Sequence, residues 1–219
     1  MINVIIIVLG FILLLQLLYY EKNQDRKPLF VVKSGLSLLF VVAALLQSHP
    51  VPDYYHYLSA GLIFCLIGDA CLALPQKKAF MAGLVVFLVG HVLYIFSFSS
   101  LTQIDHWISP WLFVIICMSA LIFLWLRPHL KSMLVPVLFY ILVITVMVSG
   151  AWAVFWKSSF QTSARVFILL GSLCFYFSDV FVARNKFIKE EYRNRLVGLP
   201  LYYAGQFMLA FSVGLLKRG

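Results

Sequence analysis

The stretch GLIFCLIGDACLAL, Gly61 to Leu74, and its counterpart VFILLGSLCFYFSDVFVA, Val166 to Ala183, decide how this chain is read. Each is an apolar run of the kind that crosses a bilayer, and each carries an aspartate near its end, Asp69 and Asp179. An ionised side chain at membrane depth is costly, so a chain that keeps one there faces it inward and uses it. The two aspartates are therefore the first candidates for a functional site.

The rest of the chain supports a membrane reading. Its 219 residues are 63% hydrophobic and 11% charged, with a mean hydropathy of +0.98, outside the range of soluble domains. A hydrocarbon core about 30 Å thick needs about 20 apolar residues to cross it. Eight such spans are predicted: Ile2 to Tyr20, Leu29 to Gln47, Tyr57 to Leu74, Phe80 to Ser99, Pro110 to Leu126, Ser132 to Phe155, Ala164 to Ala183 and Leu196 to Leu216. The expected fold is all-α, a single bundle of eight transmembrane helices forming one domain over residues 1–219. The first span lacks the basic start and small-residue cleavage pattern of a signal peptide, so it is expected to stay as a helix.

A net charge of +9 raises the question of nucleic acid, but its distribution reports topology instead. The odd-numbered connections hold twelve cations: Lys22, Arg26, Lys27, Lys77, Lys78, Arg127, Lys131, Arg184, Lys186, Lys189, Arg193 and Arg195. Against these stand four, Lys157, Arg165 and the tail pair Lys217 and Arg218, while Lys33 lies inside a span. The positive-inside rule then makes the odd connections cytoplasmic and puts both termini on the opposite side. No nucleic-acid partner is expected. The cysteines Cys65, Cys71, Cys117 and Cys174 all fall within spans and form no Cys-x-x-Cys pair, which argues against a disulfide framework or thiolate zinc site.

Topology converts position into depth. At a rise of about 1.5 Å per residue, Asp69 lies roughly 9 Å and Asp179 roughly 7 Å below the cytoplasmic surface. Lys33, Tyr140, Tyr202, Tyr203 and Gln206 enter from the same face, and His91 and Tyr94 lie near mid-membrane. This one-sided gathering implies a polar cavity open to the cytoplasm. Helical spacing puts Gly83, Phe87, Gly90, His91 and Tyr94 on one stripe, where glycines admit a close neighbour. There is also an internal echo. Gly61 precedes Asp69, and Gly171 precedes Asp179, by eight positions, and the next helices carry Gly90-His91 and Gly205-Gln206. Two parallel four-helix halves would produce it.

Plainer readings compete at each position. Lys33 can snorkel to the surface or serve as counter-ion or phosphate contact. Tyr54, Tyr55, Tyr57, Trp107 and Trp111 read as an interfacial aromatic belt. One histidine with two aspartates could imitate an iron site, but His49, His56, His106 and His129 lie in connections or at span ends, and no metal or other cofactor is expected.

The stretch Gly61 to Asp69 with Leu72, then Phe80, Gly83-Leu84, Phe87-Leu88, Gly90-His91 and Tyr94, resembles the first signature of the YhhN-like lysoplasmalogenase family. Phe177-Ser178-Asp179, Asn185, Phe187 and Tyr202-Tyr203-Ala204-Gly205-Gln206 resemble its second, and Lys33, Pro136 and Tyr140 look similar too. Ser34 departs from the Lys-Pro pair usual in that family. The resemblance implies an eight-helix membrane enzyme that cleaves the vinyl-ether bond of lysoplasmalogens without a metal. It carries the acidic residues over to Asp69 and Asp179, and the polar shell to His91, Asn185 and Gln206.

That chemistry suits two carboxylates. Vinyl ethers hydrolyse by protonation at carbon, giving an oxocarbenium ion that water captures as a hemiacetal. An acid and a negative group in different environments can divide this work. Asp69 is expected as the acid and Asp179 as the carboxylate facing water, with His91, Lys33, Tyr94, Tyr140, Asn185, Tyr203 and Gln206 supporting catalysis or binding. The partners implied are a lysophospholipid substrate and membrane lipids, in the inner membrane of a bacterium or the endoplasmic reticulum of a eukaryote; oligomeric state is not legible. A proton-coupled transporter could use the same aspartates, although a cavity open to one side gives it no second gate. A lipid-binding scaffold would not need so many buried polar groups.

Overall fold

A computed structural model describes residues 1–216, with only the backbone of Lys77, so the tail pair Lys217 and Arg218 lies outside the described residues. The chain folds into α1 (Ile2–Asn23), α2 (Arg26–Leu45), α3 (Pro52–Ala73), α4 (Lys77–Ser99), α5 (Pro110–Leu130), α6 (Leu134–Trp156), α7 (Thr162–Ala183) and α8 (Tyr192–Leu215). The described residues hold no β-strand. That is the expected outcome in lipid, where each segment must satisfy its own backbone. Seven segments are long and apolar enough to cross a membrane. One of them, Pro110–Trp156, runs through both α5 and α6. The chain reverses within it at Lys131, whose φ of 46° breaks the helix just after Pro128. The two helices then pack against each other. The protein is an integral membrane protein.

Five helices, α2, α3, α4, α7 and α8, start earlier than hydropathy alone suggests, because interfacial turns tolerate polar residues. α2 begins at Arg26 and α3 at Pro52. Proline occupies the first turn of α3 and of α5, where its missing N–H costs nothing. The extension of α3 corrects part of the aromatic belt. Tyr54 is fully buried and shares a 2.6 Å hydrogen bond with Ser212 of α8. Trp107 is buried too, its ring filling the space a side chain at Gly150 would take. Tyr57 and Trp111 are exposed, and Tyr55 stacks on His49.

α1 is the most exposed of the helices and α8 the most buried. Lipid tails are as apolar as leucine, so helices associate through close packing at small residues. Two hairpins do this in the same way. A Cβ on Gly61 of α3 would lie 3.1 Å from the Gly90 carbonyl of α4, and one on Gly90 would lie 3.2 Å from the Gly61 carbonyl. In the second hairpin a Cβ on Gly205 of α8 would fall 2.7 Å from the Gly171 carbonyl of α7, and the reverse distance is 3.0 Å. The echo in sequence is thus an echo in packing, α3–α4 matching α7–α8. Each hairpin then carries its aspartate two turns beyond the glycine contact.

Candidate active site

Asp69 projects from α3 into a fully furnished recess. Its Oδ1 lies 3.2 Å from the Lys33 ammonium, with both side chains almost wholly buried. Its Oδ2 accepts hydrogen bonds of 2.6 Å from Ser37 and 2.6 Å from Tyr202. Lys33 and Ser37 stand four residues apart on one face of α2. The Ser37 hydroxyl has one proton to give, so Tyr203, 3.2 Å away, serves as donor to Ser37. The resulting chain runs from Tyr203 to Ser37 to Asp69. Lys33 is a counter-ion here and does not snorkel.

Asp179 of α7 sits in a different setting. Its side chain is 21% exposed. Oδ2 accepts a 2.7 Å hydrogen bond from Tyr140 of α6, and no described residue hydrogen-bonds to Oδ1. The buried His91 ring of α4 places Nε2 3.8 Å from Oδ2. The other ring nitrogen, Nδ1, lies 2.7 Å from the Phe87 carbonyl. A carbonyl can only accept, so Nδ1 carries the proton and Nε2 of the neutral ring presents its lone pair. That buried Nε2 has no hydrogen-bond partner among the described residues. Phe175, with its centroid 4.6 Å from the imidazole and perpendicular to it, holds the ring edgewise.

The two carboxylates line one cavity. Lys33, Tyr140 and Tyr202 line it with them, and Leu84, Phe87, Ile122, Leu126, Ile141 and Ile144 make the remaining wall largely apolar. A second, polar recess shares Leu72, Phe80, Val182, Phe187 and Arg195 with this cavity, so the apolar chamber continues into a polar entrance. An elongated amphiphile with its polar end at the entrance matches that gradient.

The remaining residues read from the sequence fall into two groups. Tyr94 donates to Gln206 Oε1 at 2.7 Å and lies 3.6 Å from Cys65 Sγ, a buried pair that ties α4 to α8 without touching either carboxylate. Asn185 stands in the π-helical turn Arg184–Ile188, where its Oδ1 accepts from Asn194 and from the Glu191 N–H, each at 3.1 Å. It shapes the entrance and does not reach the aspartates. Ser37 was missed, although its i+4 spacing from Lys33 was visible. Tyr202 was visible too, but nothing in the sequence ranked it above Tyr203. No group of three or more His, Cys, Asp or Glu that could hold a metal occurs among the described residues.

The chain is 29% identical to lysoplasmalogenase TMEM86B of Rattus norvegicus over 198 residues, covering 90% of this chain and 77% of that protein. It is 25% identical to the lysoplasmalogenase of Mycobacterium bovis over 178 residues, covering 78% and 64%. A Dictyostelium discoideum lysoplasmalogenase homolog is 25% identical, covering 95% and 75%. No solved structure matches the chain. The YhhN family matches residues 29–213. With so much of the chain covered, aspartate-bearing hairpins included, this protein belongs to the YhhN family.

Proposed function

We propose that the protein is a membrane-embedded hydrolase that cleaves the vinyl-ether bond of a lysoplasmalogen, releasing a fatty aldehyde and a glycerophospho-base. The relatives' activity supports this reading, and so does a cavity that is apolar in depth, polar at its entrance and lined by two carboxylates. The observation that carries it is the contrast between those carboxylates. Asp69 is engaged on both oxygens by an ammonium and two hydroxyls, whereas Asp179 keeps Oδ1 uncommitted beside an unpartnered imidazole nitrogen. We therefore give the proton-donating role to Asp179 and a supporting role to Asp69, the reverse of the roles expected from the sequence.

In this mechanism Asp179 transfers its proton to the second carbon of the alkenyl chain, and the double-bond electrons form the new C–H bond. The oxocarbenium ion left on the ether carbon is opposed by the Asp179 carboxylate. Water adds to that carbon and loses a proton to Asp179, with the His91 Nε2 lone pair orienting it. The hemiacetal bond to the glycerol oxygen then breaks as Asp179 gives that oxygen its proton and takes up the proton of the hemiacetal hydroxyl, and the aldehyde departs. Tyr140 holds Asp179 in place through its hydrogen bond. Asp69 fixes Tyr202 against the cavity.

We place the eight helices as eight crossings, with both termini away from the cytoplasm and the cavity opening toward it. The excess of Lys and Arg on the odd connections supports that orientation. The membrane is the inner membrane in a bacterium or the endoplasmic reticulum in a eukaryote. Incubating purified protein with a lysoplasmalogen and with its saturated alkyl-ether analogue tests the reaction. Aldehyde should appear from the vinyl ether alone; aldehyde from neither, with folded protein, would refute the proposal.

A further inference from the structure

Phe87 of α4 links the surroundings of the two carboxylates. It lines the cavity that carries Asp69 and Asp179 and is otherwise buried. Gly68 seats its ring. A Cβ at that position would fall 2.7 Å from Phe87 Cε2, so the ring rests on the α3 backbone one residue before Asp69. Tyr202, whose hydroxyl donates to Asp69 at 2.6 Å, meets the Phe87 ring with centroids 6.0 Å apart and planes at 86°. Phe175, which packs edgewise with the His91 imidazole, meets it at 6.2 Å and 68°. The Phe87 carbonyl also accepts the His91 Nδ1 hydrogen bond. One residue thus packs beside the anchor of Asp69 and orients the imidazole that faces Asp179.

The reaction makes a cation in a place poorly furnished for one. In solution, water dipoles solvate an oxocarbenium ion; here most of the wall is apolar, and an uncompensated charge against such a wall is costly. The charge of Asp69 is already matched by Lys33. Asp179 can therefore oppose the ion from its own side, but the rest of the wall must contribute without a formal charge. An aromatic ring does so through the negative face of its π-system, and the attraction strengthens when water is excluded. The vinyl ether itself is uncharged, so a ring of this kind favours the transition state over the bound substrate.

We propose that Phe87 is a further catalytic residue, its ring stabilising the oxocarbenium ion by a cation–π contact, and that Gly68 is the positioning residue that keeps the ring in place. This role rests on the vinyl-ether hydrolase reading above. It gives the adjacent pair Gly68 and Asp69 a joint purpose, since one seats the ring and the other holds Lys33 and Tyr202 behind it. Leucine at position 87 would fill the cavity wall but offer the cation no π-face.

The test uses the full-length protein in neutral detergent micelles, with a lysoplasmalogen as substrate and Phe87 replaced in turn by mono-, di- and trifluorophenylalanine. Fluorine changes the size of the ring little but drains negative charge from its face. The kcat should fall about threefold with each fluorine and about thirtyfold in all, the factor that corresponds to a desolvated cation–π contact. KM and the unfolding midpoint should stay nearly constant along the series. Phe87→Leu should show a loss of kcat like that of the trifluoro variant. Gly68→Ala, which displaces the ring, should lower kcat and flatten the fluorine series, whereas damage to packing alone would leave the slope intact and remove Gly68 from the proposal. A constant kcat along the series in folded protein, or a loss confined to KM, would overturn the role of Phe87. A wild-type protein that releases no aldehyde refutes the hydrolase reading itself, whereas aldehyde release with a flat fluorine series refutes only the cation–π contact.

Discussion

Asp69 and Asp179 occupy matching places in matching hairpins, yet the structure treats them differently. Both follow a glycine by eight residues, and each glycine seats its helix against the next. α2 supplies Lys33 and Ser37 to Asp69, and α8 adds Tyr202. Asp179 receives one hydroxyl from α6 and faces an imidazole from α4. An aspartate's position in the repeat brings it to the cavity, but the neighbouring helices decide whether it is a strut or a reagent. The hairpins also exchange services: Tyr202 of the second reaches Asp69 of the first, and His91 of the first faces Asp179 of the second.

Replacing Asp179 with Asn should have the largest effect, a loss of at least about 10³-fold in aldehyde release, since it removes the group that we propose holds the transferable proton. Thermal stability should change little, because a partly exposed amide can keep the Tyr140 bond.

Asp69→Asn should behave in the opposite way. It strands the Lys33 ammonium in the core and should cost about 3–5 kcal/mol of stability. Adding Lys33→Met should recover most of that loss, as measured by the unfolding midpoint in detergent. If Asp69→Asn were stable and inactive while Asp179→Asn stayed active, the two roles would have to be exchanged.

His91→Gln should lower kcat by about 10² and distort the pH–rate profile, while leaving the fold in place. Among the helix contacts, Gly205→Ala drives a Cβ to within 2.7 Å of the Gly171 backbone, and overpacking of this kind costs about 1–3 kcal/mol. Gly35→Ala, with nothing within 4 Å, is the matched control and should be neutral or slightly stabilising. Tyr140→Phe should have the smallest effect, about 0.5–1.5 kcal/mol for one hydrogen bond, read as a modest fall in kcat.

Much of this arrangement was legible in the sequence because bilayer physics is restrictive. Hydropathy located every helix, and charge with depth pointed Asp69 and Asp179 to a common cavity. The glycine spacing was legible as an echo between two halves of the chain, and those glycines are the contacts inside the α3–α4 and α7–α8 hairpins. What could not be read depends on which helix faces which. Lys33 was visible as a cation in a span, but its choice of Asp69 over the surface needed the α2–α3 contact. The His91 tautomer depends on the Phe87 carbonyl one turn away, and Tyr54 was misread because its partner Ser212 lies on a helix far along the chain. Gln206 and Asn185 look like site residues by type, yet one bonds Tyr94 and the other braces the α7–α8 turn.

The most direct measurement of the central claim is cleavage of a lysoplasmalogen in D2O by wild-type and Asp179→Asn protein, with the aldehyde analysed by mass spectrometry. The account predicts one deuterium on the carbon beside the aldehyde for wild type, release slowed relative to H2O, and essentially no aldehyde from a folded Asp179→Asn variant. Deuterated aldehyde from that variant at the wild-type rate would contradict it.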